Sequence, residues 1–137
     1  MGRSVVLAMA AASMLAIGVM ANEKPSDAYV KSMKETNAAS QSLKKNLEAK
    51  NYEGIEKDAA TLKTLFTGTE EFWTARKTDD AIAAAKAGVQ ASTDLETAAK
   101  AKNADGVATA GKAVAATCKT CHDAHRERLP DGTSEIK

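Results

Sequence analysis

Apolar and small residues recur along most of the chain at alternating spacings of three and four, the period of a helix that buries one face. Tyr29, Met33, Thr36, Ser40, Leu43 and Leu47 form one such row, and Ile55, Ala59, Leu62 and Phe66 a second. A third reads Ile82, Ala85, Val89, Ser92 and Leu95, and a fourth begins with Val107, Ala110 and Val114. Rows of this kind line the seams of helices packed almost parallel to their neighbours. Cap residues mark the boundaries. Ser26 can cap a first helix, with Asp27 in its first turn where a negative charge suits the helix dipole. Asn51 opens a second helix, and Thr78 with Asp79 and Asp80 opens a third that runs to about Lys102. Between them, Glu70 to Arg76 continues the second helix or begins a bend, carrying Phe72 and Trp73 as expected core anchors. A fourth helix is expected over about Ala104–Leu129. Pro130-Asp131-Gly132 ends it, because proline disfavours helix in the residue before it and Asp-Gly is turn chemistry. The tail to Lys137 is expected to drape over the surface.

An internal repeat supports this division. Ala49-Lys50-Asn51-Tyr52-Glu53-Gly54-Ile55 returns fifty-two positions later as Ala101-Lys102-Asn103-Ala104-Asp105-Gly106-Val107. In each copy an asparagine offers a cap, an acid follows in the first turn, and a branched apolar residue starts the next row. Two helical hairpins with short turns stack as an antiparallel up-down-up-down four-helix bundle, so the expected fold is all-α. Thr36 and Ser40 are small, polar breaks in the first row. They give either a slightly weak core or room for a flat ligand beside the helix.

The N-terminus changes the picture of where the protein works. Met1-Gly2-Arg3 precedes an apolar run from Val5 to Met20, and Val19 and Ala21 occupy the small-residue positions of a signal-peptidase site. Residues 1–21 are therefore expected to be a cleaved signal peptide and 22–137 a single exported domain, with an uncleaved anchor as the alternative. The 137 residues less 21 leave 116, the size of one small domain. Removing Arg3 from 19 basic residues leaves 18 against 18 acidic ones. That balance gives no footprint for nucleic acid, and no stable membrane insertion is expected once the leader is removed.

The chemistry is concentrated in Cys118-Lys119-Thr120-Cys121-His122, the spacing of covalent c-type haem attachment. Two thiols add across the two vinyl groups of one porphyrin, and the adjacent imidazole takes the iron. On a helix Cys118 and His122 are one turn apart and project to the same side. A thioredoxin-like redox pair would need a βαβ context that the periodicity lacks. Zinc could be offered Cys118, Cys121, His122 and His125, but these fall within eight residues, whereas tetrahedral sites usually draw ligand pairs from separated segments. Covalent attachment takes place outside the bacterial cytoplasm, in keeping with the leader, and the cysteines need not form a disulfide.

A haem iron bound by one histidine has a second face, and its occupant largely decides between electron transfer and ligand binding. Beyond the leader, Met33 is the only methionine and His125 the only other histidine. His125 lies three residues past His122 on the same helix, hence on the same side of the porphyrin. Met33 stands near the start of the first helix, which neighbours the end of the last in an antiparallel bundle. Ordinary core filling is the alternative role for such a methionine.

The segment Cys118-Lys119-Thr120-Cys121-His122-Asp123-Ala124-His125-Arg126 resembles the C-terminal haem segment of class II c-type cytochromes, the cytochrome c′ and cytochrome c556 family. The four-helix pattern carries the resemblance over nearly the whole of 22–137. It implies one haem c bound through Cys118 and Cys121, with His122 as one axial ligand and Met33 in the place of the family's first-helix methionine ligand. Arg126 matches a basic residue just after the motif and is implied to approach the haem edge or a propionate. In cytochrome c′ proper the iron is five-coordinate. The chain departs from the family in having His125 where Phe or Tyr is general, and Tyr29 where many members have arginine.

The expected function is that of a periplasmic one-electron carrier with His122 and Met33 as axial ligands, not an enzyme. Its partners would be redox proteins, approached over Lys119, Arg126 and Arg128 if these form a basic rim rather than a solvated helix face. Dimerisation is common among the family's members. Two alternatives stand beside this reading: a five-coordinate protein binding nitric oxide or carbon monoxide, and a haem-free thiol or metal-binding helical module.

Overall fold

A computed structural model describes residues 21–137; the expected leader, apart from Ala21, lies outside the described residues. Four helices follow in order: α1 Asp27–Glu48, α2 Tyr52–Arg76, α3 Asp79–Lys100 and α4 Ala104–His125. Successive helices pack side by side through turns of two or three residues, which makes the antiparallel four-helix bundle. Among the described residues no helix is long and apolar enough to cross a membrane.

The caps form as their residue types require. Ser26 Oγ accepts the Tyr29 N–H at 3.3 Å. The repeated motif is the same structure twice. Asn51 Oδ1 accepts the Gly54 N–H at 3.2 Å, and Asn103 Oδ1 accepts the Gly106 N–H at 3.1 Å. Before each asparagine a lysine, Lys50 or Lys102, stands in the left-handed region at φ 51°. The Asn51 N–H then reaches back to Asn46 O, and the Asn103 N–H to Ala98 O, each at 2.9 Å. These bonds satisfy carbonyls that the helix end would otherwise leave open.

The core follows the second row without change: Ile55, Ala59, Leu62 and Phe66 are all buried, and α2 runs unbroken to Arg76. Trp73 is the expected anchor at 2 % exposure, whereas Phe72 is only half-buried. On α3 the inward face keeps Ala85, Ser92 and Leu95 of the expected row and differs in the rest. Ala81, Ala85, Gly88, Ala91, Ser92 and Leu95 are buried, while Ile82 and Val89 are half-buried at its flanks. Small residues take the centre because Phe66 lies directly over Gly88.

Two differences bear on the site. First, α4 stops at His125 instead of about Leu129. Arg126–Arg128 (β1) leaves the helix as a strand and pairs antiparallel with Ser134–Ile136 (β2), Arg126 opposite Ile136. The tail is therefore tied down: Ile136 also exchanges both backbone hydrogen bonds with Glu23, at 2.7 and 2.8 Å, and the Glu23 carboxylate pairs with Arg76. Second, α1 packs on α2 but barely meets α4. Leu47 reaches Gly111 across that seam, where a Cβ would lie 3.3 Å from Leu47 Cδ1. Nearer the chain termini the two helices enclose a cavity.

Candidate cofactor site

On α4 the inward row Val107, Ala110, Val114 and Thr117 leads straight into the attachment motif. Cys118 is one turn past Val114, Cys121 one turn past Thr117, and His122 one turn past Cys118. All three are half-buried, and both cysteines are free thiols. Facing them across the α1–α4 seam is the first row of α1, so that Tyr29, Met33, Thr36, Asn37 and Ser40 line the same cavity. Phe66 and Thr69 of α2 and Ala85 of α3 complete its inner lining, and Arg126 contributes from the start of β1. The space measures about 270 Å³, near the lower end of ligand pockets, roughly 300–1,000 Å³.

All five residues expected at the site, Cys118, Cys121, His122, Met33 and Arg126, thus line one cavity. The small polar positions Thr36 and Ser40 fall on its wall, in keeping with room left beside the helix. Asn37, Thr69 and Thr117 were not singled out by the sequence, and Ala85 was expected only as a core position. For Thr69, Ala85 and Thr117 the signal was present only as small residues on helical faces, which a core position shares.

The cavity is less polar than its residue names suggest. Thr36 donates its hydroxyl to Ser32 O at 2.8 Å, Thr69 to Leu65 O at 2.9 Å, and Thr117 to Ala113 O at 3.1 Å. None of these three hydroxyl protons is left for a ligand. Burial holds the His122 imidazole below its ordinary pKa, and the Arg126 guanidinium adds to the effect. Both effects favour the neutral ring, the form that ligates a metal. Burial also pushes the Cys118 and Cys121 thiols up, with Asp80 and Cys118 adding to the shift of Cys121. Tyr29 is pushed up to about 12, chiefly by burial and secondarily by Cys121. Its ring stacks on Phe72 with centroids 3.9 Å apart, and the Arg76 guanidinium lies 4.1 Å from the Phe72 centroid.

The donor set suits a covalently held haem. A half-buried dithiol, an imidazole and a thioether meet at one end of the loosely packed α1–α4 seam, and the Thr36, Thr69 and Thr117 hydroxyls of the lining are already bonded within their helices. It suits a small ion less well. Among the described residues no three His, Cys, Asp or Glu side chains are grouped to hold one, and His125 is engaged elsewhere, with Nε2 2.8 Å from Asp80 Oδ2. A second, more open groove of about 460 Å³ lies at the other end of the α1–α4 seam, lined by residues such as Leu47, Ile55 and Val107. It carries no thiol, imidazole or thioether. Comparison of the chain with protein-family models, curated proteins and solved structures returns no match.

Proposed function

We propose that the protein is an exported mono-haem c-type cytochrome that carries single electrons, with haem c held by Cys118 and Cys121 and its iron between His122 and Met33. The observation that carries this reading is the cavity into which α4 brings the dithiol and imidazole while α1 brings the only methionine beyond the leader. Bound haem would supply one-electron exchange between ferric and ferrous iron, with the His/Met ligand pair favouring the ferrous state. The chain's residues do the rest. Cys118 and Cys121 anchor the group through thioethers, His122 enters as the neutral imidazole, and Met33 offers its thioether from the facing helix. Phe66 and Ala85 keep water from the inner side, and Arg126 offers a positive charge at the mouth.

Export through the leader of residues 1–21 to the periplasm belongs to the same proposal, as does a redox protein as partner. For that partner the rim is only weakly basic: Lys119 is paired with Asp123, which leaves Arg126 and Arg128 exposed with Glu127 between them.

The test is to express the chain with haem-attachment machinery. A pigment that survives denaturation, a mass increased by one porphyrin, and a low-spin spectrum with the weak red band of thioether-bound ferric iron are the expected results. Met33→Ala should abolish that band. An unchanged low-spin spectrum would remove Met33 from the iron, and a high-spin parent would favour the five-coordinate gas-binding alternative. A colourless product of unaltered mass refutes haem attachment.

A further inference from the structure

A helix running to Leu129 would have placed His122 seven residues from its end; in the structure α4 ends at His125, three residues beyond it. His122 therefore sits in a terminal turn, where carbonyls lose their intrahelical partners and helices fray. A ligand to a metal has to be held within about 0.5 Å of its productive position by supporting contacts. A fraying turn does not provide that.

What holds the turn is His125. Its side chain is only 14 % exposed, its ring centroid lies 4.9 Å from that of Trp73, and its Nε2 is 2.8 Å from Asp80 Oδ2 in the first turn of α3. The hydrogen bond from His125 is also the main reason that the Asp80 carboxyl lies below its ordinary range. Trp73 is itself buried among Phe72 and Tyr29, at centroid distances of 5.2 and 6.3 Å. The backbone adds a second tie. The Arg126 N–H donates to His122 O, and the Lys137 N–H donates to His125 O at 3.3 Å.

We propose that Asp80 and His125 form a positioning pair for the candidate haem site: they clamp the last turn of α4 to α3 and Trp73, and thereby fix the orientation of the His122 imidazole. His125 does not line the cavity and acts through the turn it shares with His122. The inference rests on the functional reading above in taking His122 as the iron ligand. It assigns a role to the one motif-adjacent histidine which that reading leaves unused.

The test uses the haem-loaded full chain with Asp80→Ala, His125→Ala and the double variant. Asp80→Asn and His125→Gln are the conservative counterparts, because each preserves a hydrogen-bonding group at similar reach. Two quantities are read well below melting: amide hydrogen exchange at Asp123 to Arg126 in the reduced state, and the paramagnetic shifts of haem substituents in the ferric state, which follow the orientation of the axial imidazole. Each alanine variant should speed exchange roughly three- to tenfold, the worth of one lost hydrogen bond, and should move the ferric shifts. The conservative variants should stay near the parent, and the double variant should go no further than either single one. Variants that melt earlier yet keep parental shifts, or single effects that simply add, overturn the clamp. A parent that holds haem but is high-spin overturns Met33 ligation alone, because the shifts still report His122. A parent without haem overturns both readings.

Discussion

Gly88 of α3 offers a measurement of how tightly the inner side of the cavity is built. A Cβ placed there would lie 2.6 Å from Cδ1, 2.7 Å from Cγ and 2.8 Å from Cε1 of the Phe66 ring. Ordinary contact between carbon atoms is about 3.5–4.0 Å, so the ring would have to move by roughly an ångström. Phe66 is 6 % exposed and borders the candidate cavity, which makes the cavity its readiest direction of escape. Forcing an extra methyl into a packed core costs about 1–3 kcal/mol. Replacing a helical glycine by alanine returns about 0.8–1.0 kcal/mol. Gly88→Ala should therefore destabilise by about 0–2 kcal/mol. Gly68 on α2 is the internal control, since no heavy atom lies within 4 Å of its added Cβ. Gly68→Ala should stabilise by about 1 kcal/mol. Urea and thermal unfolding followed by far-ultraviolet circular dichroism measure both, and their difference isolates the overpacking at about 1–3 kcal/mol. With Phe66→Leu in the background, Gly88→Ala should become much less harmful. Equal stabilisation by the two alanine substitutions in the parent chain would refute the packing of Phe66 on Gly88.

Other consequences can be checked on the same footing. Asn51→Ala and Asn103→Ala each remove the cap on the N–H three residues on and should each cost about 1 kcal/mol, Asn51→Ala the more of the two because its Nδ2 also donates to Asn46 Oδ1 at 3.0 Å. Lys50→Gly and Lys102→Gly relieve the left-handed conformation at φ 51° and should each raise stability by about 1 kcal/mol; a loss at either position would refute that strain. Tyr29, raised from 10.0 to about 12 by burial, favours the neutral phenol in the folded state. Its contribution is complete below pH 10 and is lost as pH rises from 10 through 12, by roughly 2–3 kcal/mol in the haem-free chain. Absorbance at 295 nm should show this tyrosine ionising only with unfolding. On the acid side, Asp80, Glu96, Asp123 and Asp131 are each held below their ordinary values, chiefly by the hydrogen bonds they accept. Stability from these groups is present above about pH 4.5 and falls as pH drops through the lowered values; a chain that gained stability on acidification would contradict those hydrogen bonds.

Much of the fold was legible because helical bundles write their instructions locally. A row such as Ile55, Ala59, Leu62 and Phe66 specifies one face, and caps such as Asn51 and Asn103 specify where it begins. On α3 the period alone does not specify the face. Ile82 and Val89 were expected inward as members of one row with Ala85, Ser92 and Leu95; those three are buried, but Ala81, Gly88 and Ala91 fill the rest of the inner face. An alanine-rich helix carries several apolar stripes, and the choice among them is made by what lies opposite, here the Phe66 ring. Periodicity within one helix contains no record of its neighbour's bulk.

The same division runs through the site. Cys118, Cys121 and His122 share a cavity wall because their spacing matches one helical turn, and Met33 meets them because an antiparallel bundle brings the start of its first helix beside the end of its last. Both facts follow from local period and topology. The end of α4 follows from neither. It is set by a strand pairing between Arg126–Arg128 and Ser134–Ile136, and by a contact from His125 to Asp80 across 45 positions. Nothing in the helical propensity of residues 126–129 announces such partners, since tertiary pairing overrides weak local preference. The consequence is asymmetric. The residues that would contact a cofactor could be named in advance, whereas those that keep their turn from unwinding emerge only when distant segments are brought together. A substitution at Asp80, far from the motif in sequence and outside the cavity, should therefore affect His122 more than a substitution at Thr120, which lies inside the motif but is exposed and bonded only to Ala116 O of its own helix.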